Sequence, residues 1–185
     1  MLVDDLRKAS ERREARLEPR LWFVHVDIME IMDRVRYEHF PHLRQGLEFF
    51  FVRRGPLTCI CSGDNAATVY AHEVLNLSET PEEVFSTVCK HELLHLVVPR
   101  REVKGRLTSH PPEFWERERK IAPERSLAWG WLWTNLGGCL RLRPRLERID
   151  VGPSWKARRR PKMSAKEYVE WLESRPRPRL EDAGW

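Results

Sequence analysis

The sequence predicts an α+β fold: a single domain whose three-stranded antiparallel sheet packs on one long buried helix and on further helices. Three observations carry that expectation. Apolar residues recur at helical spacing before residue 41 and again after residue 80. Between those stretches the period falls to two, in three short runs separated by Gly, Pro and Asn. With 185 residues and 22.1 kDa, one core is well supplied and a second would be a squeeze. The domain is therefore expected over residues 1–150, with N-terminal helices over 1–41, a sheet and site over 47–120, and a helix and strand over 123–150. A basic extension, 151–185, follows with one short helix and a disordered end.

Residues 3–17 mix charges of both signs and read as an exposed helix. LWFVHVDIMEIMDRVRYEHF (21–40) places Leu21, Val24, Ile28, Ile31 and Val35 on one helical face, and Pro41 closes it. His25, His39 and His42 fall in or just after this helix and are expected to pack or to face solvent. LEFFFVRR, LTCICS and ATVYAHEVLN then alternate as a meander, the breaks falling at Gly55-Pro56 and Gly63-Asp64-Asn65. Leu57, Cys59 and Cys61 share a face of the second strand, which reads the cysteines as core filler.

Thr80-Pro81-Glu82-Glu83 supplies a cap, a proline at the first helical position and an acid three residues after the cap, so a helix is predicted from there to just before Pro99. REVKGRLTSH reads as a charged connection turning at Lys104-Gly105, and PPEFWERERKI as a helix led by prolines. PERSLAWGWLWTNL is a further helix ending at Gly137-Gly138, with Leu127, Trp129, Trp131 and Trp133 on more than one side. RLERIDV is a short strand. Ser164 to Glu167 caps a last helix carrying Tyr168, Trp171 and Leu172.

Composition narrows the class. At 41% hydrophobic with eight tryptophans, the chain can bury enough apolar surface to fold without staples. No stretch approaches the roughly 20 apolar residues of a membrane span, and MLVDDLRKAS is charged where a secretory signal needs an apolar run. A cytoplasmic protein with no membrane partner is expected. The four cysteines form no CxxC pair and are expected to be thiols. The net charge of +5 is concentrated after residue 140. There WKARRRPK (155–162) and RPRPR (175–179) are either a solvated tail or a contact for the phosphates of a nucleic acid.

Chemistry concentrates in HELLHLVVPRREVKGRLTSHPPEFW, residues 91–115. Residues four apart share a helical face, so His91 and His95 can offer two imidazole nitrogens to one metal ion. Glu92, one residue from the first ligand, is placed to serve as a general base and not as a ligand. The third ligand is His110 or Glu113. His110 is favoured, because the two prolines after it hold it extended at the mouth of the next helix, whereas Glu113 would sit in the first helical turn. Leu93, Leu94 and Leu96 surround the histidines, where unpartnered imidazoles would cost roughly 1–3 kcal/mol each.

VLNLSETPEEVFSTVCKHELLHL and SHPPEFW resemble the corresponding segments of minimal zinc peptidases of the SprT-like and YgjP-type families. There a strand ending in Asn runs into an HExxH helix, and a downstream His is followed by Phe-Trp. The resemblance covers roughly residues 47–120. It implies a zincin-like fold, Zn2+ held by His91, His95 and His110, and Glu92 as catalytic base. No glycine follows His110 and no cysteine zinc ribbon is present, unlike many SprT-like members. The expected activity is hydrolysis of protein or peptide substrates, Glu92 taking a proton from zinc-activated water and returning it to the leaving amine. The strand ATVYAHEVLN is expected to border the cleft and pair with an extended peptide. His72 or Tyr70 is a candidate support for the tetrahedral intermediate, against packing on the core. Two other readings compete. One is a deformylase-like hydrolase, disfavoured because no cysteine-bearing ligand segment lies upstream. The other is a nucleic-acid-binding protein whose metal site is structural or inactive and whose working part is the basic C-terminus.

Overall fold

A computed structural model describes residues 26–63 and 65–158. The helix predicted over 3–17, His25, Leu21 and Val24, the helix after Ser164 and the basic residues from Arg159 onward lie outside the described residues.

The architecture is α+β, in the order α1 (Ile28–His39), β1 (Gly46–Val52), β2 (Thr58–Ser62), β3 (Ala66–His72), α2 (Glu82–Leu94), β4 (Arg101–Val103), β5 (Arg106–Thr108), α3 (Pro112–Ile121), α4 (Arg125–Leu136), β6 (Leu140–Arg143), β7 (Arg148–Val151) and the short α5 (Trp155–Arg158). Helix α1 starts later than its apolar period suggests. Asp27 caps it by accepting the Glu30 N–H at 3.0 Å, an arrangement that satisfies one of the orphan amides of the first turn. Ile28, Ile31 and Val35 are buried on one face as expected, with Met32 beside them.

The main sheet is mixed, which corrects the antiparallel meander. Its order is β1-β3-β2, with β1 parallel to β3 (Gly46 opposite Ala66) and β2 antiparallel to β3 (Thr58 opposite Ala71). Consecutive strands were expected to be neighbours, but β1 and β2 are separated by the width of β3. The five residues Arg53 to Leu57 can span that gap: two strand spacings are about 10 Å, and five extended residues reach about 16 Å. Gly55 makes the turn at φ 121°, a conformation that favours glycine. Strand β3 stops at His72 instead of running to Asn76. The His72 imidazole accepts the Val74 N–H at 3.0 Å and opens a single 3-10 turn, Glu73–Leu75.

Helix α2 is the centre of the molecule. Ten of its thirteen residues are buried, as in a helix surrounded on all sides. It packs against α1, α3, α4 and β2; Arg34 of α1 pairs with Glu82 in its first turn. Its cap is Pro81 and not Thr80: no side chain caps the first turn, and the Thr80 hydroxyl is buried behind it. Glu82 and Glu83 still favour the positive end of the helix dipole. In α4, Trp129 and Leu132 are buried, but Leu127 is 74% exposed, so this helix buries one face plus the flanks where Trp131 and Trp133 lie half-buried.

The segment 101–108, expected as a connection, is a two-stranded hairpin. Its turn residues Lys104 and Gly105 both have positive φ, 52° and 77°, a pairing that matches the twist of the flanking strands. A second hairpin, β6–β7, follows α4, and Trp155 of α5 joins the core edge-on to His72. No helix among the described residues is long and apolar enough to cross a membrane.

Candidate metal centre

The site is assembled from α2, its C-terminal turn and the β5–α3 junction. His91 and Glu92 lie in the last turn of α2. His95 is the residue that ends it, a correction to the expectation that the helix runs to just before Pro99. His95 keeps helical dihedrals, and the His95 and Leu96 amides reach only three residues back, to Glu92 and Leu93, so the terminus tightens into a 3-10 turn. The face shared by residues 91 and 95 is preserved. His110 arrives from the other side, held by its own amide on the Thr108 hydroxyl at 3.1 Å and by Pro111 behind it.

The three imidazoles converge on one point. His91 Nε2 is 3.3 Å from His95 Nε2 and 3.3 Å from His110 Nε2. Tetrahedral zinc with Zn–N of about 2.05 Å requires ligand nitrogens about 3.3 Å apart. The group is buried and can hold a metal ion. Its rings rest on one floor, Phe114, with centroids 4.6 to 5.0 Å from all three, and Trp115 stacks on His110 at 5.1 Å. Burial pushes His91 and His110 down to about 3 and His95 well below its ordinary value. Neutral imidazoles are the form that binds a metal.

Two carboxylates behind the histidines, neither foreseen from the sequence, orient them. Glu118, 1% exposed on α3, is 2.6 Å from His91 Nδ1, which turns Nε2 toward the common point. Its second oxygen is 2.7 Å from Arg125 Nε, at the start of α4. Glu147 holds the other side. It accepts the Ser109 N–H and Oγ–H, each at 2.7 Å, and lies 3.4 Å from His110 Nδ1. Its backbone is left-handed at φ 50°, a conformation that costs a non-glycine residue about 1–2 kcal/mol and is often tolerated at functional sites. One cue for Glu118 was available: it lies four residues after Phe114, on the face of α3 that apolar residues occupy, where an acid needs a partner. Glu147 offered none, because only the β6–β7 turn brings it to His110.

Glu113, the alternative third ligand, is engaged elsewhere, 3.0 Å from Arg101 and 2.8 Å from Arg117. His72 and Tyr70 do not line the cleft: His72 caps the 3-10 turn, and Tyr70 stacks on Phe50. His39 and the four cysteines also stand outside the metal group, and all four cysteines are free thiols.

His91, Glu92, His95 and His110 share a cleft of about 350 Å³. Burial pushes the Glu92 carboxyl up to about 8, against hydrogen bonds from the Thr58 side chain and the Ile60 backbone, both on β2. That contact identifies the strand at the cleft. β3 is central, so the edge strand is β2 and not the segment 67–76. Its orientation follows from the ladder. Leu57 O accepts from His72 N–H and Gly63 N–H donates to Ala66 O, so the backbone groups of the odd-numbered residues from 59 to 63 face β3, while the Leu57 N–H donates to Ile149 O at 2.7 Å. The backbone groups of Thr58, Ile60 and Ser62 turn toward the cleft. No protein-family model and no curated protein matches the chain, so its class rests on this fold and this site.

Proposed function

We propose that the chain is a zinc-dependent metallopeptidase with a zincin-like catalytic core, in which His91, His95 and His110 hold the metal and Glu92 is the general base. One observation carries the reading: three converged imidazoles and a buried carboxylate that is not among them line one cleft beside an edge strand. Structural zinc sites are closed by four protein ligands, whereas three ligands facing open space is the catalytic pattern. An all-imidazole set suits zinc among several divalent metals.

A zinc ion bound there supplies Lewis acidity, polarising a carbonyl and acidifying water. The chain's own residues do the rest. The outward backbone groups of β2, apart from the Ile60 N–H held by Glu92, pair with an extended peptide and orient its scissile carbonyl. Glu92 accepts a proton from the attacking water as the C–O bond forms. The C–N bond then breaks, and Glu92 returns that proton to the leaving nitrogen. Glu118 and Glu147 keep the imidazoles in the tautomer that points Nε2 inward. Protein or peptide substrates follow from this reading.

Glu92→Gln tests it, since it keeps shape and removes the proton acceptor. Zinc content and melting temperature should be unchanged while peptide cleavage falls about 10²–10⁴-fold. Cleavage by Glu92→Gln at the wild-type rate rules out this mechanism.

A further inference from the structure

The two small hairpins that flank the cleft are basic. Residues 100–108 hold Arg100, Arg101, Lys104 and Arg106 against one acid, Glu102. Residues 140–151 hold Arg141, Arg143, Arg145 and Arg148 against Glu147 and Asp150. The hairpins are joined: Arg106 Nη2 donates to Arg145 O at 2.6 Å and to Pro144 O at 3.3 Å. Arg100 and Arg148 line the cleft itself. The acids on the same cleft are committed, Glu92 beside the histidines and Glu147 to Ser109 and His110. Asp150 sits 2.9 Å from Arg148 Nε. A guanidinium has five N–H donors, so pairing at Nε leaves donors for a second carboxylate.

We infer that the substrates of this cleft are acidic polypeptides, whose carboxylates, from Asp or Glu side chains near the scissile bond or from a chain terminus, engage Arg100 and Arg148. The inference rests on the peptidase reading and adds the substrate's charge to it. Charge-assisted and bidentate contacts to carboxylates are the strong ones, and in a partly enclosed cleft salt screens them less than at an open surface.

The test measures binding separately from cleavage. Matched labelled peptides with Glu, Gln or Lys at the same positions, each with a free or an amidated terminus, are titrated by fluorescence anisotropy into zinc-loaded full-length Glu92→Gln protein. The Glu peptide should bind about tenfold or more tightly than the Gln peptide, with the Lys peptide weakest, and added salt should shrink the gap. Adding Arg100→Gln and Arg148→Gln should remove the preference without changing zinc content. Arg100→Gln alone, at an exposed position, should remove part of it. Arginine-dependent binding that is lost on amidation identifies the terminus as the carboxylate source, and a Glu-over-Gln preference that survives amidation identifies side chains. Equal affinity for the three peptides in both the free and the amidated form overturns the inference. So does a Glu preference that survives in the double variant, which would place binding in the basic 155–185 segment. A single-stranded oligonucleotide that displaces the Glu peptide and loses its own binding in the double variant makes this cleft a nucleic-acid surface instead. If Glu peptides bind through both arginines but the wild type cleaves none of them, the peptidase reading fails and the acidic preference stands.

Discussion

Glu118 is the residue on which most of the site's order depends. It is 1% exposed, shared between His91 Nδ1 and Arg125 Nε, and part of neither the HExxH motif nor the third-ligand segment. Removing it leaves two groups short. Arg125 would become a largely buried cation without its acid, and breaking such a pair from one side costs about 3–5 kcal/mol. His91 would lose the acceptor that fixes its tautomer. Glu118→Ala is therefore expected to lower the melting temperature by many degrees. Glu118→Gln is the more informative change: its amide oxygen can still accept from Nδ1, but the charge opposite Arg125 is gone. It should fold, and its zinc affinity should fall about 10–100-fold, as measured by competition with a chromogenic chelator. Unchanged affinity in Glu118→Gln would mean that a neutral acceptor at Nδ1 orients His91 as well as the carboxylate does.

At the scale of elements, what was legible divides by the range of the interaction that decides it. The HExxH spacing and Pro111 after His110 act within one turn or one junction, and the structure brings His91, His95 and His110 together as read. Helix α1 buried the expected face because its period is local. Strand order is not local. Nothing in LEFFFVRR or LTCICS states that β3 will lie between them, and the consequence reached the site, since it moved the cleft-side edge from residues 67–76 to β2. Glu118 and Glu147 stayed hidden for the same reason, being 27 and 37 residues from the histidines they orient. The β2 assignment can be tested with proline. Ile60→Pro removes an N–H that faces the cleft and hydrogen-bonds the Glu92 carboxylate, and proline is tolerated on edge strands when it breaks no ladder bond. The fold and zinc content should survive with a loss of about 1 kcal/mol, while peptide cleavage falls about tenfold or more. Cys61→Pro, whose N–H faces β3, should instead destabilise the sheet markedly. If both variants melt alike, the alternation derived for β2 is wrong.

Across the whole molecule, the three histidines join parts that are otherwise connected mainly by packing: the end of α2 supplies two of them and the β5–α3 junction the third. A metal bound there clips α2 to that junction and, through Glu147, to the turn between β6 and β7. Ligation that exists only in the folded state adds to stability by mass action, so zinc should raise the melting temperature. With free zinc at about 1,000 times the dissociation constant, the gain is about 4 kcal/mol. For a chain of this size each kcal/mol is worth about 2–4 °C, so the expected rise is about 8–16 °C, reversed by a chelator. Glu92→Gln should show the full rise, because the carboxylate is not a ligand. His91→Ala and His110→Ala should show little or none, and Glu113→Ala, whose side chain is held by Arg101 and Arg117, should match the wild type. A rise that disappears in Glu113→Ala and persists in His110→Ala would transfer the third ligand to the carboxylate. The absence of any zinc-dependent rise in the wild type would show that the convergence of imidazoles is structural, and with it the proposed chemistry would fall.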